Sequence, residues 1–497
     1  MISADIGSLR FLDEEHPSLN SIHISIRPGE FILLLGPSES GKSVLCRCLA
    51  GIIPAFQSAQ LNGKIRTNGR TTAEQTLPEL SRFVSLVTDD PQNQLFLPAL
   101  KDDLAFGPCN LRFAPGIVRK RIKKALRFVN LQGFEERRPE TLSGGEAERA
   151  VIASFLTMEA PVLILDRAMD QMDLRSRCGI FKRLKDQCRT SGKIVILVDE
   201  KPGDTFQFAD RVLFLNKGRL IFDGPPKRIP RSCMKHIQFF QPPRPIDTGE
   251  SLATKKTSPA IEAKHLYYSY PDSDFGLKNL SLVIHKGEFI SISGPNGAGK
   301  TTLVKHFIGI KVPEKGDVLV DGRNTKDLPT AKLSNKVGFL FQNPESQIFA
   351  DSVLKEVSFS LKTRKWPPEK IRGCVERVLD SLGILDYADE HPYRLSRSLM
   401  QKVALASCLV HEPEVLILDE PVSHMSYPQN VEILRLIEML HSKGKTIIMI
   451  THDPLVVAHF STRAITMENG RITRDTTESH CRSIAKSFLN ASQEALQ

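Results

Sequence analysis

Two stretches of this sequence fit the phosphate-binding pattern G-x-x-x-x-G-K-[ST]: GPSESGKS at Gly36–Ser43 and GPNGAGKT at Gly294–Thr301. Their lysines, Lys42 and Lys300, stand 258 positions apart. An apolar run after a Gly-Glu turn leads into each loop, RPGEFILLLG in one case and HKGEFISISG in the other. Two acid-terminated runs, PVLILD ending at Asp166 and EVLILD ending at Asp419, lie 253 positions apart, and the pairs Leu142-Ser143 and Leu395-Ser396 share that offset. Features that return in one order at nearly one spacing mark a tandem duplication of a unit of about 230 to 250 residues. A chain of 497 residues therefore resolves into two large halves rather than three ordinary domains. Apolar runs alternating with helical stretches predict that each half is α/β with a mostly parallel sheet.

With 41% hydrophobic and 25% charged residues the chain lies in the globular range, which excludes disorder as a description of the whole. Its 67 basic and 57 acidic residues give a net charge of +10, compatible with phosphate-rich ligands, nucleic acid or an anionic membrane surface. The segment VRKRIKKALRFV places Val118, Ile122, Ala125, Leu126 and Val129 at helical spacing, with Arg119, Lys120, Arg121, Lys123, Lys124 and Arg127 largely on other faces. That pattern reads as a solvated helix face rather than a nucleic-acid helix. The nine scattered cysteines, without C-x-x-C pairs, read as reduced thiols in a cytosolic protein. Met1–Arg10 lacks the order of a secretory signal, and no apolar run approaches the roughly 20 residues needed to cross a bilayer. Gly224-Pro225-Pro226 and the Pro/Lys/Ser-rich stretch Gln241–Pro259 read as an exposed connection. The expected organisation is a first domain over 1–228, a linker over 229–259, a second domain over 260–475 and a tail over 476–497.

A glycine loop between a strand and a helix lets backbone N–H groups wrap a β-phosphate at the helix N-terminus, while the lysine meets the β/γ oxygens and the following hydroxyl ligates Mg²⁺. The apolar strand ending in Asp supplies a second oxygen ligand to that ion. LSGGE at Leu142–Glu146 adds a far more specific motif. With it, the whole chain resembles two fused nucleotide-binding domains of the ATP-binding cassette (ABC) family. The resemblance implies that each half is a P-loop NTPase domain, with a RecA-like mainly parallel core, an antiparallel β subdomain and a helical subdomain. It also implies head-to-tail closure of the two halves over ATP, so that each site takes its P-loop from one half and its signature, such as Ser143, Gly144 and Gly145, from the other.

By the same resemblance the second half carries a complete set. Tyr270, 24 residues before Gly294, suits an adenine platform, and Gly294, Pro295, Asn296, Gly297, Ala298, Gly299, Lys300, Thr301 and Thr302 form the nucleotide loop. Gln342 in LFQNPE is the Q-loop glutamine, Asp419 the metal aspartate, Glu420 the catalytic carboxylate and His452 in ITHD the switch histidine. Thr301, Gln342 and Asp419 would hold Mg²⁺, with Ser43 and Asp166 at the equivalent places in the first half. The first half keeps Gly36, Gly41, Lys42 and Ser43 but departs elsewhere. Arg167 follows Asp166 where a carboxylate is needed, Asp89 takes the Q-loop position, Glu200 the switch position, and Glu39 puts an acid inside the loop. Phe11 is either a weaker adenine platform or an ordinary surface or core residue.

The signatures have decayed in the opposite sense, because the second half reads LSRSL at Leu395–Leu399. The composite site that pairs the second P-loop with Ser143–Gly145 thus retains every part, and the other loses nearly all. Asp173 and Ser426, at the two D-loop positions, divide in the same way.

The phrases DDPQNQLFLPALKDDLAFGPCNL (Asp89–Leu111) and QNPESQIFADSVLKEVSFSL (Gln342–Leu361) resemble the Q-loop region of energy-coupling factor (ECF) and cobalt-type importers. In that group N-P-x-x-Q-x-F leads into a groove that receives a helix of the membrane partner, although such Phe and Leu residues can equally be core. The implied function is the ATPase of an ABC importer at the cytoplasmic face of the membrane. It would use ATP and Mg²⁺, with integral membrane subunits as partners, no specific nucleic acid, and a vitamin or metal ion as solute. The alternatives are a soluble ABC ATPase acting in translation or on nucleic acid, and a regulatory protein without turnover.

Overall fold

The computed structural model describes residues 1–12, 16–37, 39–88, 94–169, 172–199, 205–234, 258–270, 275–422 and 427–477. The chain divides into two compact units, Met1–Gln241 and Pro242–Leu489.

The first unit opens with β1 (Ile2–Phe11), β2 (Leu19–Ile26), β3 (Phe31–Leu35) and α1 (Lys42–Leu49). It continues with β4 (Ala59–Thr67), β5 (Arg70–Thr71), α2 (Leu77–Leu80) and β6 (Val84–Val87). Three helices follow, α3 (Leu100–Asn110), α4 (Pro115–Phe128) and α5 (Gly144–Leu156). Then come β7 (Val162–Asp166), α6 (Leu174–Ser191), β8 (Ile194–Val198), β9 (Arg211–Asn216), β10 (Arg219–Gly224) and the short α7 (Arg231–Met234). An antiparallel sheet runs β2-β1-β4-β5, and a six-stranded sheet runs β10-β9-β3-β8-β7-β6. The larger sheet is parallel from β9 to β6, with β10 antiparallel at its edge.

Burial explains the two sheet types. All five residues of β3, β7 and β8 are buried, as in strands covered on both faces. Strand β1 turns Ile2, Ala4, Ile6 and Leu9 inward, and these join Ile32, Leu34, Leu45 and Ile164 in one core. The opposite face of the parallel sheet packs Phe31 and Leu33 with Leu126, Val151 and Phe181 of the helices. On α4 the predicted stripe Val118, Ile122, Ala125 and Leu126 is buried. The solvated reading of its cations fails at Arg121, which donates to Thr157 O at 3.1 Å and Met158 O at 3.3 Å and pairs with Glu159 at 3.0 Å. Apposition to the end of α5 exposes those carbonyls, a tertiary feature that helical periodicity does not encode.

The second unit repeats this plan with β11 (Pro259–Ser269), β12 (Gly276–His285), β13 (Phe289–Ser293), α8 (Lys300–Phe307), β14 (Lys315–Val320) and β15 (Arg323–Asn324). Next are α9 (Thr330–Leu333), β16 (Val337–Leu340), α10 (Val353–Thr363), α11 (Pro368–Ser381) and α12 (Arg397–Leu409). It closes with β17 (Val415–Asp419), α13 (Tyr427–Ser442), β18 (Thr446–Ile450), α14 (Pro454–Phe460), β19 (Arg463–Glu468) and β20 (Arg471–Thr477). The sheets run β12-β11-β14-β15 and β16-β17-β18-β13-β19-β20, the same orders as in the first unit. The P-loop strand β13 lies between β18 and β19, which sets its loop beside the ends of neighbouring parallel strands.

Strand structure reaches from Pro259 to Thr477, slightly outside the expected 260–475, and α7 falls within the expected linker. Most of that linker (235–257) and most of the tail (478–497) lie outside the described residues. Eight described cysteines are free thiols. Among the described residues no helix is long and apolar enough to cross a membrane.

Candidate nucleotide site

In the second unit, β13 ends at Ser293 and the chain turns through Gly294, Gly297 and Gly299 into α8. Gly294 has φ 140°, and a Cβ there would stand 2.1 Å from Met467 O, so only glycine fits against β19. Pro295, Asn296 and Ala298 complete the loop between these glycines, with Ala298 buried. Gly299, with φ 98°, caps the N-terminus of α8 and points its first N–H groups into the loop. Lys300 is buried and donates to Gly294 O at 2.8 Å and Pro295 O at 3.0 Å, so its ammonium already sits within the loop.

The Thr301 hydroxyl donates to Asp419 Oδ2 at 2.9 Å, joining the first turn of α8 to the end of β17. Burial pushes the Asp419 carboxyl upward, opposed by the Thr301 hydrogen bond and the Lys300 charge. A hydroxyl and a buried carboxylate are the hard oxygen donors that Mg²⁺ takes alongside phosphate oxygens, so this pair fits that ion. Glu420 follows in a left-handed conformation, φ 50°, and its N–H donates to Ile450 O at 3.0 Å. His452 Nε2 lies 3.4 Å from Glu420 Oε1. These residues come together because β17 and β18 are hydrogen-bonded neighbours that place Asp419 opposite Ile450. Gln342 is half-buried just beyond the end of β16.

Tyr270 shares a 3.1 Å hydrogen bond with Thr302 Oγ1 and stacks on Phe275 at 6.0 Å and 27°. Lys311 stands 4.8 Å over the Tyr270 ring and donates to Tyr268 OH at 2.8 Å. Phe275 and Lys311 thus join Tyr270, the expected adenine platform; Phe275 lies in the aromatic stretch LYYSYPDSDF, whereas no sequence motif marks Lys311.

The first unit builds the same loop with different chemistry. Gly36 has φ 149° with a Cβ position 2.1 Å from Leu215 O, and Gly41, φ 95°, caps α1. Lys42 donates to Gly36 O at 2.9 Å and Pro37 O at 2.6 Å. Ser43 follows on α1, and Asp166 is buried at the end of β7. Glu39 takes φ 61° where the second loop has Gly297, and its side chain is exposed. Arg167 takes φ 55°, the conformation of Glu420. Phe11 packs against the core of the first unit rather than standing free. Asp89, Glu200 and Ser426 lie outside the described residues.

The signature of the first unit begins α5. Ser143 is the N-cap residue, and Glu146 Oε2 accepts from both the Ser143 N–H and hydroxyl at 2.8 Å. Gly144 and Gly145 are the first helical residues and put no side chain over the N-terminus of α5. In the second unit Ser396 caps α12 by accepting from Leu399 N at 3.4 Å, and Arg397 and Ser398 replace the glycines. Asp173 caps α6, accepting from Ser176 N at 3.0 Å.

Two P-loops on strand-to-helix turns of six-stranded sheets, each with a helical subdomain, define a pair of nucleotide-binding ATPase cassettes. The chain belongs to the ABC transporter family, whose sequence model matches residues 19–170 and 277–423. It is similar to a Methanosarcina acetivorans protein named "Putative ABC transporter ATP-binding protein", 33% identical over 92% of this chain and 83% of that one. A Methanosarcina mazei protein of the same name is 32% identical over 92% and 85%. Among solved structures, cbiO1 from Clostridium perfringens, part of the ABC transporter complex cbiONQ, is 32% identical over 48% of this chain and 97% of that one, with a TM-score of 0.44. The chain is thus an ABC-type ATPase with two tandem ATP-binding domains, the ATPase subunit of a transporter.

Proposed function

We propose that this chain powers an importer of the ECF or cobalt type, hydrolysing ATP at one composite site and driving uptake of a small solute such as a vitamin or metal ion. The carrying observation is the division of parts. Lys300, Thr301, Asp419, Glu420 and His452 converge in the second unit, whereas the first puts Arg167 at the position of Glu420 and keeps the glycine signature that the second has lost.

In this reading the second P-loop and Ser143–Gly145 of the first unit enclose one nucleotide. The Tyr270 ring receives the adenine. Lys300 exchanges its two loop carbonyls for phosphate oxygens, and Glu420 orients the attacking water and takes its proton, with His452 holding the carboxylate in place. Thr301, Asp419 and Gln342 would hold Mg²⁺, which supplies positive charge to the phosphate oxygens when bound. At the first P-loop, with Lys42, Ser43 and Asp166, Arg167 cannot accept a proton, because a guanidinium stays protonated at neutral pH. That site binds nucleotide without fast turnover or stays out of the cycle.

The importer reading draws on exposed aromatic pairs that both units present. Phe96 and Phe106 meet edge to face at 5.1 Å and 86°, and Phe349 and Phe359 at 4.7 Å and 85°. Buried carboxylates fix the turns that carry them: Asp103 accepts from Phe96 N at 3.0 Å, and Glu356 accepts from Phe349 N at 3.0 Å and Ala350 N at 2.8 Å. Large rings held rigidly in solvent suit contact with an apolar helix of a membrane subunit, so the chain would work as a peripheral protein on the cytoplasmic face. The deciding experiment is purification of the tagged chain from solubilised membranes of its native cells, with identification of the companion chains and assay of ATP hydrolysis in the complex. Integral membrane companions and ATP turnover are expected. Ribosomes or DNA in their place would overturn the importer reading.

A further inference from the structure

A lysine anchored at the end of the P-loop helix of the second unit reaches the ring expected to receive adenine. Lys311 lies just past α8, and its N–H donates to Lys305 O at 3.2 Å, which ties its backbone to the last turn of that helix. Its side chain crosses to the end of β11, where Nζ stands 4.8 Å over the Tyr270 ring and donates to the Tyr268 hydroxyl at 2.8 Å. That hydrogen bond holds the ammonium above its usual range, so Lys311 stays charged at neutral pH. Tyr268 meets Tyr270 edge to face at 5.1 Å and 87°, and meets His306 of α8 in the same way at 4.9 Å and 76°. Burial pushes the His306 imidazole down, while its Nδ1 shares a 2.8 Å hydrogen bond with Thr302 O. That ring is therefore neutral, and Lys311 supplies the charge beside the tyrosines.

The first unit makes the same backbone turn without this side chain. With the P-loop lysines 258 positions apart, Ile53 corresponds to Lys311, and its N–H donates to Arg47 O at 3.4 Å as the Lys311 N–H does to Lys305 O. Ile53 is fully buried, and Phe11 packs against the core. The turn after the P-loop helix therefore does not require a cation at this place. The cation stands in the unit that joins Thr301 to Asp419 and sets His452 beside Glu420.

We propose that Lys311 is a positioning residue for the nucleotide: it holds the Tyr270 ring in place before ATP arrives, and so lowers the ATP concentration that hydrolysis needs. A free ring loses motion when a base stacks on it, and a ring already fixed by its neighbours loses less. The Thr302 hydrogen bond, the Phe275 stack and the Lys311 ammonium restrain this ring together, and Tyr268 in turn restrains the ammonium. The proposal rests on the reading of Tyr270 as the adenine platform.

The test measures kcat and KM for ATP hydrolysis and the thermal midpoint of the full chain, for Lys311→Met, Lys311→Arg, Tyr268→Phe and Tyr270→Ala. Lys311→Met keeps a long side chain and removes its charge. It is expected to raise KM about fivefold, the size of one cation–π contact, with kcat within about twofold of wild type. Lys311→Arg should keep KM near wild type, because a guanidinium also stacks on an aromatic ring and donates to a hydroxyl. Tyr268→Phe should raise KM by less than Lys311→Met, and the two together should be no worse than Lys311→Met alone. Unchanged KM in Lys311→Met, with KM raised in Tyr270→Ala, overturns the proposal alone. A lowered KM also overturns it, by making the lysine a competitor of the base for the ring. So does a fall in kcat and thermal midpoint alongside the rise in KM, which a merely structural role would produce. Unchanged KM in Tyr270→Ala overturns the reading of the platform on which the proposal rests.

Discussion

Arg167 of the first unit and Glu420 of the second hold the same left-handed backbone conformation, φ 55° and 50°, directly after the acid that ends β7 or β17. Non-glycine residues seldom adopt it, so the first unit shares the turn that carries Glu420 while placing the opposite charge on it. The difference between the units at this point lies in side-chain chemistry.

Replacing Glu420 with Gln should preserve that turn and remove the carboxylate proposed as the proton acceptor. Turnover should fall by about 100-fold or more, in line with the loss of a general base, while ATP still binds. Phosphate release and nucleotide binding on one preparation check this, and steady hydrolysis near the wild-type rate would refute it.

Lys42 and Lys300 make matching contacts to the first two carbonyls of their loops. Their roles should nonetheless diverge. Lys300→Ala should abolish hydrolysis, and Lys42→Ala should leave at least about half, because the proposed proton acceptor, Glu420, belongs to the second unit. Equal losses would contradict a single hydrolytic site.

Ser143 and Ser396 cap equivalent helices, so replacing either with Ala should cost about 1 kcal/mol in its own unit. Only Ser143→Ala should also depress hydrolysis. Thermal midpoints together with ATPase rates separate the two effects, and similar rates in both variants would count against a site completed by the first-unit signature.

The His411 imidazole is pushed down to about 4 by burial and then by the adjacent Arg364 charge. Between pH 6.5 and 4 the unfolded chain takes up a proton there that the folded chain does not, so this group makes stability fall as pH drops through that window. His411→Gln should lose less thermal stability than wild type on going from pH 7 to pH 5. An unchanged difference between the two pH values would refute the assignment.

Charges placed on the aromatic pairs should act on assembly. Phe349→Asp combined with Phe96→Asp should reduce recovery of the chain with its membrane companions several-fold, because a carboxylate resists burial against an apolar helix. The thermal midpoint should change little, since Phe96 and Phe349 are 61% and 63% exposed. Undiminished recovery would place the membrane contact elsewhere.

The sequence by itself determined the duplication, the α/β character, the two P-loops and the opposed decay of LSGGE and LSRSL. These are carried by short contiguous motifs whose residue types answer to local backbone geometry or to phosphate chemistry. The stripe on α4 was legible because burial there follows the helix period. Tertiary structure decided what no local pattern encodes. The pairing of β17 with β18 sets His452 3.4 Å from Glu420, and the end of α5 turns Arg121 from a solvated cation into a partner of Thr157 O and Glu159. Gln347 Nε2 donates to Ala404 O and Cys408 Sγ, 57 and 61 positions further along the chain, because α12 packs on β16 and the turn that follows it. Hydrogen bonds of that range are set by which elements meet, and only the folded chain brings them together.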